Sequence, residues 1–179
     1  MITGIKEQKL RIGNIVLTTS LMLFILACGG SKETNSVAKE KEFQNLVEMV
    51  KSREFVIENE WLTPLGGAMI NLIGNPNYIR FEGDSVDVFL PYYGVRQSGG
   101  GYGRDGGIVY KGVVENLKIS EESEKNRILL NFEGSENQEH LKFFITLFNG
   151  GDATTSVSSS QRQSISYKGN IAGSKKKEN

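Results

Sequence analysis

The sequence predicts a mainly β domain of the α+β class: an N-terminal amphipathic helix packed on an antiparallel β-sandwich or curled barrel. Three observations carry this. Residues 40–52 bear an apolar stripe of helical period, the period becomes that of extended chain after Arg53 and does not return, and Gly, Pro and Asn-Gly divide the remainder into short runs. In the helix, Phe43, Leu46, Val47 and Val50 fall at i, i+3, i+4 and i+7, with Lys41, Glu42, Glu48 and Lys51 opposite. The polar face is not basic, so the stripe is read as facing a core rather than a lipid surface.

The strands follow in order. Run 55–61 is β-branched and aromatic and is ended by Pro64; run 68–73 stops at the turn cluster Gly74-Asn75-Pro76. Residues 78–81 alternate, Gly83-Asp84 makes a turn, and 85–90 alternate again into Pro91. Further runs are 108–110, 113–120, 127–132, 141–148, 153–159 and 163–167. Asn149-Gly150 is the strongest hairpin signal. If the stretch 158–169 is a hairpin return, Ile165 and Tyr167 share one face and Ser164 and Ser166 the other. No internal repeat is visible.

Composition narrows the function. The chain has 179 residues, enough for one domain with a real core, and its 21 Lys+Arg balance 21 Asp+Glu. That balance argues against a nucleic-acid partner, which calls for a basic excess. One Cys and one His allow neither an intramolecular disulfide, nor a thiolate zinc site, nor an HExxH pair. No cofactor or metal is expected.

The N-terminus reads as an address. Lys6, Lys9 and Arg11 against Glu7 precede the uncharged run 15–27, the parts of a secretory signal. At about 1.5 Å per residue that run spans about 20 Å, short of a bilayer core of about 30 Å. Ile25-Leu26-Ala27-Cys28-Gly29-Gly30 resembles the lipobox of bacterial lipoproteins, which implies cleavage before Cys28 and acylation of its thiol, with the membrane as first partner. The boundaries expected are a signal peptide at 1–27, a small polar tether at 28–39, a single β-rich domain at 40–172 and a frayed tail at 173–179. Loss of Lys6, Glu7, Lys9 and Arg11 leaves the mature chain slightly acidic.

Candidate chemistry is sparse. Gly101 to Gly106 fits GxGxxG by letter, but a phosphate cradle needs a helix after it and a strand follows here. The glycine-rich run 99–107 is read as a hairpin tip or as a loop folding back over a groove. Around it cluster Tyr92, Tyr93, Arg96, Tyr102, Arg104 and Asp105, residue types suited to a ligand or partner surface. Taken singly, Tyr92 or Tyr93 would pack on the core and Arg96 would pair with a carboxylate. Arg162 is a candidate for an anion but sits by a turn, where an anchoring role is expected. His140 stands at a strand entrance with no nucleophile elbow to serve. Glu121, Glu122 and Glu124 read as a solvated turn, and no facing carboxylate pair or calcium loop is identifiable.

In order and spacing the segments resemble the DUF4251 family of Bacteroidetes lipoproteins, a domain of unknown function, from about residue 40 to 171. The matching features are Phe43 with Leu46-Val47, the strand entered at Phe55, Gly83-Asp84, Leu90-Pro91-Tyr92-Tyr93-Gly94, and Asp105-Gly106-Gly107-Ile108. Gly151-Asp152-Ala153, Ser160-Gln161-Arg162-Gln163, Ile165-Ser166-Tyr167 and Gly169 complete them. The resemblance implies a cell-envelope lipoprotein with a compact β-rich domain and carries over no catalytic residue. The expected role is a non-enzymatic binding or envelope-interaction module, on the outer membrane in preference to the inner, meeting an envelope protein or a small ligand. Two alternatives stay open. An envelope hydrolase would hold His140 or facing carboxylates in a deep pocket; a structural subunit of an envelope complex would show a flat apolar patch or an open sheet edge.

Overall fold

The computed structural model describes residues 31–97 and 106–173, with side chains from residue 36 onward. The chain divides into two compact units, Met1–Glu40 and Lys41–Asn179. Of the first, the described part is the opening of helix α1 (Ser31–Ser52), which continues into the second. The helix therefore starts well before the apolar stripe, and the segment expected to be a tether is helical from Ser31. Nothing between Gly30 and Glu40 is Gly or Pro, and Lys32, Glu33, Ala38 and Lys39 are ready helix formers. The stripe marked where burial begins, not where the helix begins.

Within the second unit, Phe43, Leu46, Val47 and Val50 are buried in one core with the strand side chains. The helix stops at Arg53, whose φ of 55° is left-handed and whose N–H still reaches Val50 O at 3.2 Å. The Arg53 guanidinium pairs with Asp84 and its carbonyl accepts from Gly83 N–H at 3.0 Å. The helix end is thereby fastened to a strand turn, and the chain enters the sheet at once.

The strands are β1 (Glu54–Pro64), β2 (Ile70–Asn71), β3 (Tyr78–Glu82), β4 (Ser85–Leu90), β5 (Ile108–Val113), β6 (Glu115–Glu122), β7 (Arg127–Glu136), β8 (Glu139–Phe148), β9 (Asp152–Ser159) and β10 (Ile165–Gly173). All pair antiparallel in one sheet of order β5-β4-β3-β1-β10-β9-β8-β7-β6, with β2 added on β1. Among the described residues the fold is mainly β with one α-helix, and of the two architectures expected it is the curled barrel. The single sheet bends until its ends nearly meet, Tyr110 of β5 lying against Gly134 of β7. Alternation along β1, β3, β4, β7, β8, β9 and β10 sends one set of side chains inward. Phe55 stacks on Phe81 at 4.6 Å, Phe81 meets Phe132 edge-on at 5.3 Å, and Phe132 stacks on Phe143 at 4.4 Å. These four rings tie β1 and β3 to β7 and β8 across the interior.

Two local differences from the sequence reading bear on the site. The run 68–73 forms only the short β2; Leu72 alone is buried, while Met69 and Ile73 are 56% and 67% exposed. Its apolar residues did not alternate, so nothing in the run said which would face inward. β7 and β8 also extend beyond the apolar core to a two-residue turn at Asn137-Gln138, both at positive φ (50° and 68°), the geometry of a tight hairpin without its usual glycine. Asn149-Gly150 does turn β8 into β9, with Gly150 at φ 101°.

Gly169 of β10 faces Asn59 where β1 bulges between Asn59 and Trp61. A methyl group there would overlap the Glu58 carbonyl oxygen and the Asn59 Cα. Gly169→Ala is expected to cost about 1–3 kcal/mol of stability, read as a lower urea midpoint. An unchanged midpoint would contradict this register.

Candidate functional site

The site forms at the end of the barrel where β1 and β4 finish and β3, β5, β8 and β10 begin. Its centre is Glu139, the first residue of β8. Alternation places Glu139 on the same side as Leu141, Phe143, Ile145 and Leu147, so a carboxylate enters the buried face of the sheet at its rim. It is 5% exposed, and its partner Arg162, in the connection from β9 to β10, is 9% exposed. The pair is bidentate: Arg162 Nε donates to Glu139 Oε1 at 2.8 Å and Nη2 to Oε2 at 3.0 Å. Ser159 Oγ–H also donates to Oε1, while accepting the backbone N–H groups of Gln161 at 2.9 Å and Arg162 at 3.1 Å. Arg96 Nη2 approaches Oε2 at 3.4 Å and Gln161 Oε1 at 3.3 Å.

Burial is the largest single influence on the Glu139 carboxyl and would raise its pKa. The hydrogen bonds from Arg162 and Ser159, with the charges of Arg162 and Arg96, outweigh it and hold the group below the ordinary glutamate value. The carboxylate is thus ionised and saturated with donors.

Arg162 also reaches across to the other side of the rim. Its Nη1 donates to Gly107 O at 2.8 Å and Gly106 O at 3.2 Å. Its guanidinium carbon stands 5.2 Å from the centre of the Tyr92 ring. Tyr92 Oη shares its proton between Val95 O at 2.8 Å and Gln163 O at 3.2 Å, and burial pushes this phenol up. Tyr167, fully buried, donates to Pro91 O at 2.7 Å. Gln97 N–H to Gln161 O (2.8 Å) and Gln163 N–H to Val95 O (3.1 Å) complete the seam around the bridge pairing Arg96 with Arg162. One guanidinium thus holds segment 91–97 and the start of β5 to the mouth of β8 and β10.

Of the sequence candidates, Tyr92, Arg96 and Arg162 come together here as interlocked groups, and Tyr93 is on the same segment but 55% exposed. Tyr102, Arg104 and Asp105 lie outside the described residues, as does Cys28. His140 faces the other way: its Nδ1 is 3.0 Å from Ser135 Oγ and its Nε2 3.5 Å from Glu133. Glu122 pairs with Arg127 and Lys125 at the 3₁₀ turn Ser123–Lys125, and the Arg127 hydrogen bond above all keeps its carboxyl low. Among the described residues, no three metal-binding side chains cluster and no helix is long and apolar enough to cross a membrane.

The loops at this end also expose apolar side chains. Val95 is 60% and Leu65 67% exposed, joining Tyr93, Met69 and Ile73 on the loops of the same end. A groove of about 330 Å³ lies between Val109 and the Gln138 turn, with Arg96, Gln161 and the Arg162–Glu139 pair along its wall. Sequence reading missed Glu139 and the 65–73 loop. For Glu139 the signal was present, since period-2 alternation from Leu141 already placed it inward; for the loop no signal existed.

A crystal structure of a DUF4251 family protein from Bacteroides eggerthii superimposes with a TM-score of 0.59 at 21% identity, over 76% of this chain and 91% of that one. At that identity the likeness speaks for the fold. No curated protein matches the chain. The family model for a domain of unknown function, DUF4251, matches residues 37–171, from within α1 to near the end of β10, and the chain belongs to that family.

Proposed function

We propose that the chain is a lipid-anchored protein of the cell envelope, without catalytic chemistry of its own, that uses the apolar end of its barrel to hold another envelope protein. The observation that carries this reading is the bidentate Arg162–Glu139 pair. The acid and base best placed for chemistry are consumed by each other and by the backbone of the loop roots. A general acid or base needs a proton-transfer partner other than its own permanent counter-ion. What remains exposed is Leu65, Met69, Ile73, Tyr93 and Val95, a set suited to burial against a protein surface. Anchorage rests on Cys28 and the run before it.

A photoreactive residue replacing Val95 tests the surface in intact cells. The expected product is a discrete cross-linked envelope protein, absent when the probe replaces Lys168 on the far face of β10; equal yield from both positions would sink the reading. For the anchor, Cys28→Ala is expected to abolish acyl labelling and release the protein from membranes. Retention of the variant in the membrane fraction would contradict it.

A further inference from the structure

A second surface lies away from the rim, on the outer face of β6, β7 and β8. Strand register places two cross-strand rows there. Lys118 is opposite Asn131, which is opposite Phe144; Glu133 is opposite Lys142 on β8 and Glu115 on β6, with Asn116 bonded to it. The second row is internally locked: Glu133 accepts from Asn116 Nδ2 at 2.8 Å and Lys142 Nζ at 3.0 Å, and these contacts hold its carboxyl low. The first row is not. Among the described residues, the Asn131 amide and the Lys118 ammonium have no side-chain partner, and the Phe144 ring is 48% exposed between them and β9.

The surface is also shaped. β6 shifts register between Glu115 and Lys118, where Asn116 sits at φ 51°. Such a bulge bends the strand and opens a hollow of about 380 Å³ over the two rows. An exposed aromatic face, a free planar amide and a free cation in one shallow hollow match a sugar ring. The C–H face of a pyranose stacks on an aromatic ring, its hydroxyls bond to an amide, and a carboxylate on the ring meets the ammonium. Lys118 and Phe144 stand two strand spacings apart, about 10 Å, a span that the lysine arm shortens by folding inward. We infer that this hollow binds an acidic saccharide, a pyranose bearing a carboxylate, with Phe144 as stacking platform, Asn131 as hydroxyl partner and Lys118 as counter-ion. The site is independent of the barrel-end surface.

The test is calorimetric titration of the full chain with a galacturonate hexamer and with maltohexaose. The acidic oligomer is expected to bind, the neutral one about tenfold more weakly or worse. Phe144→Ala and Lys118→Gln should each weaken the acidic oligomer about tenfold, with unchanged circular dichroism because both side chains are exposed. Lys111→Gln, an exposed lysine on β5, should leave binding as it was. The inference is overturned by absence of binding at about 10 mM, by equal affinity for the neutral oligomer, or by indifference to either row substitution. It is equally overturned if Lys111→Gln weakens binding as much as Lys118→Gln, which would mark general attraction of a polyanion.

Discussion

Arg162→Met is expected to lower stability by about 3–5 kcal/mol, and Glu139→Leu by a similar amount. Each leaves one charged side chain, itself only 7% exposed, without its bidentate partner, and a buried unpaired charge is costlier than the pair was favourable. The double variant Arg162→Met with Glu139→Leu should therefore be less damaging than the sum of the two, and less than either alone if the apolar pair packs well. Urea unfolding of the three variants gives the coupling directly. Additive losses would mean that the two groups do not depend on each other.

The same pair has a pH signature. The Glu139 carboxyl is lower in the folded chain than its ordinary value of 4.5, so its contribution is fully present above that value. It is lost as the pH falls from 4.5 through the folded value. The stability gap between wild type and Glu139→Gln should hold constant at neutral pH and narrow in that acidic window.

Phe132→Ala is the other large effect, expected to cost about 3–5 kcal/mol. The ring is 1% exposed, stacks on Phe143 and meets Phe81 edge-on. Its removal leaves a void where the two halves of the curled sheet touch. The loss should appear in both urea midpoint and thermal midpoint. Leu129→Ala on the same strand, whose side chain points the other way and is half-buried, should cost far less. Equal losses would contradict the assignment of inner and outer faces.

How much of this was legible depended on whether the information is local. The helix stripe at Phe43, Leu46, Val47 and Val50 and the alternation of β3 and β4 are set by near neighbours, and those residues lie in a helix and in strands as the patterns indicated, while β7 and β8 run past the ends of their apolar runs. The start of α1 was not legible because a polar helix has no stripe to announce it. Barrel rather than sandwich was not legible either, because closure depends on Tyr110 meeting Gly134 across the sheet ends. At the site, Tyr92 and Arg96 were visible as a local cluster, and Arg162 as a turn residue. Their link through Glu139 joins segments separated by 23 to 43 residues, and a single sequence holds no record of such pairing.

Backbone amide exchange, resolved by residue in wild type and Arg162→Met, tests most directly the claim that this arginine clasps the rim rather than serving a reaction. The expected result is lost protection at Gln97 and Gln163, whose N–H groups bond across the seam, with the inner strands β1, β8 and β9 still protected. Protection at Gln97 and Gln163 that survives the substitution would contradict the clasp.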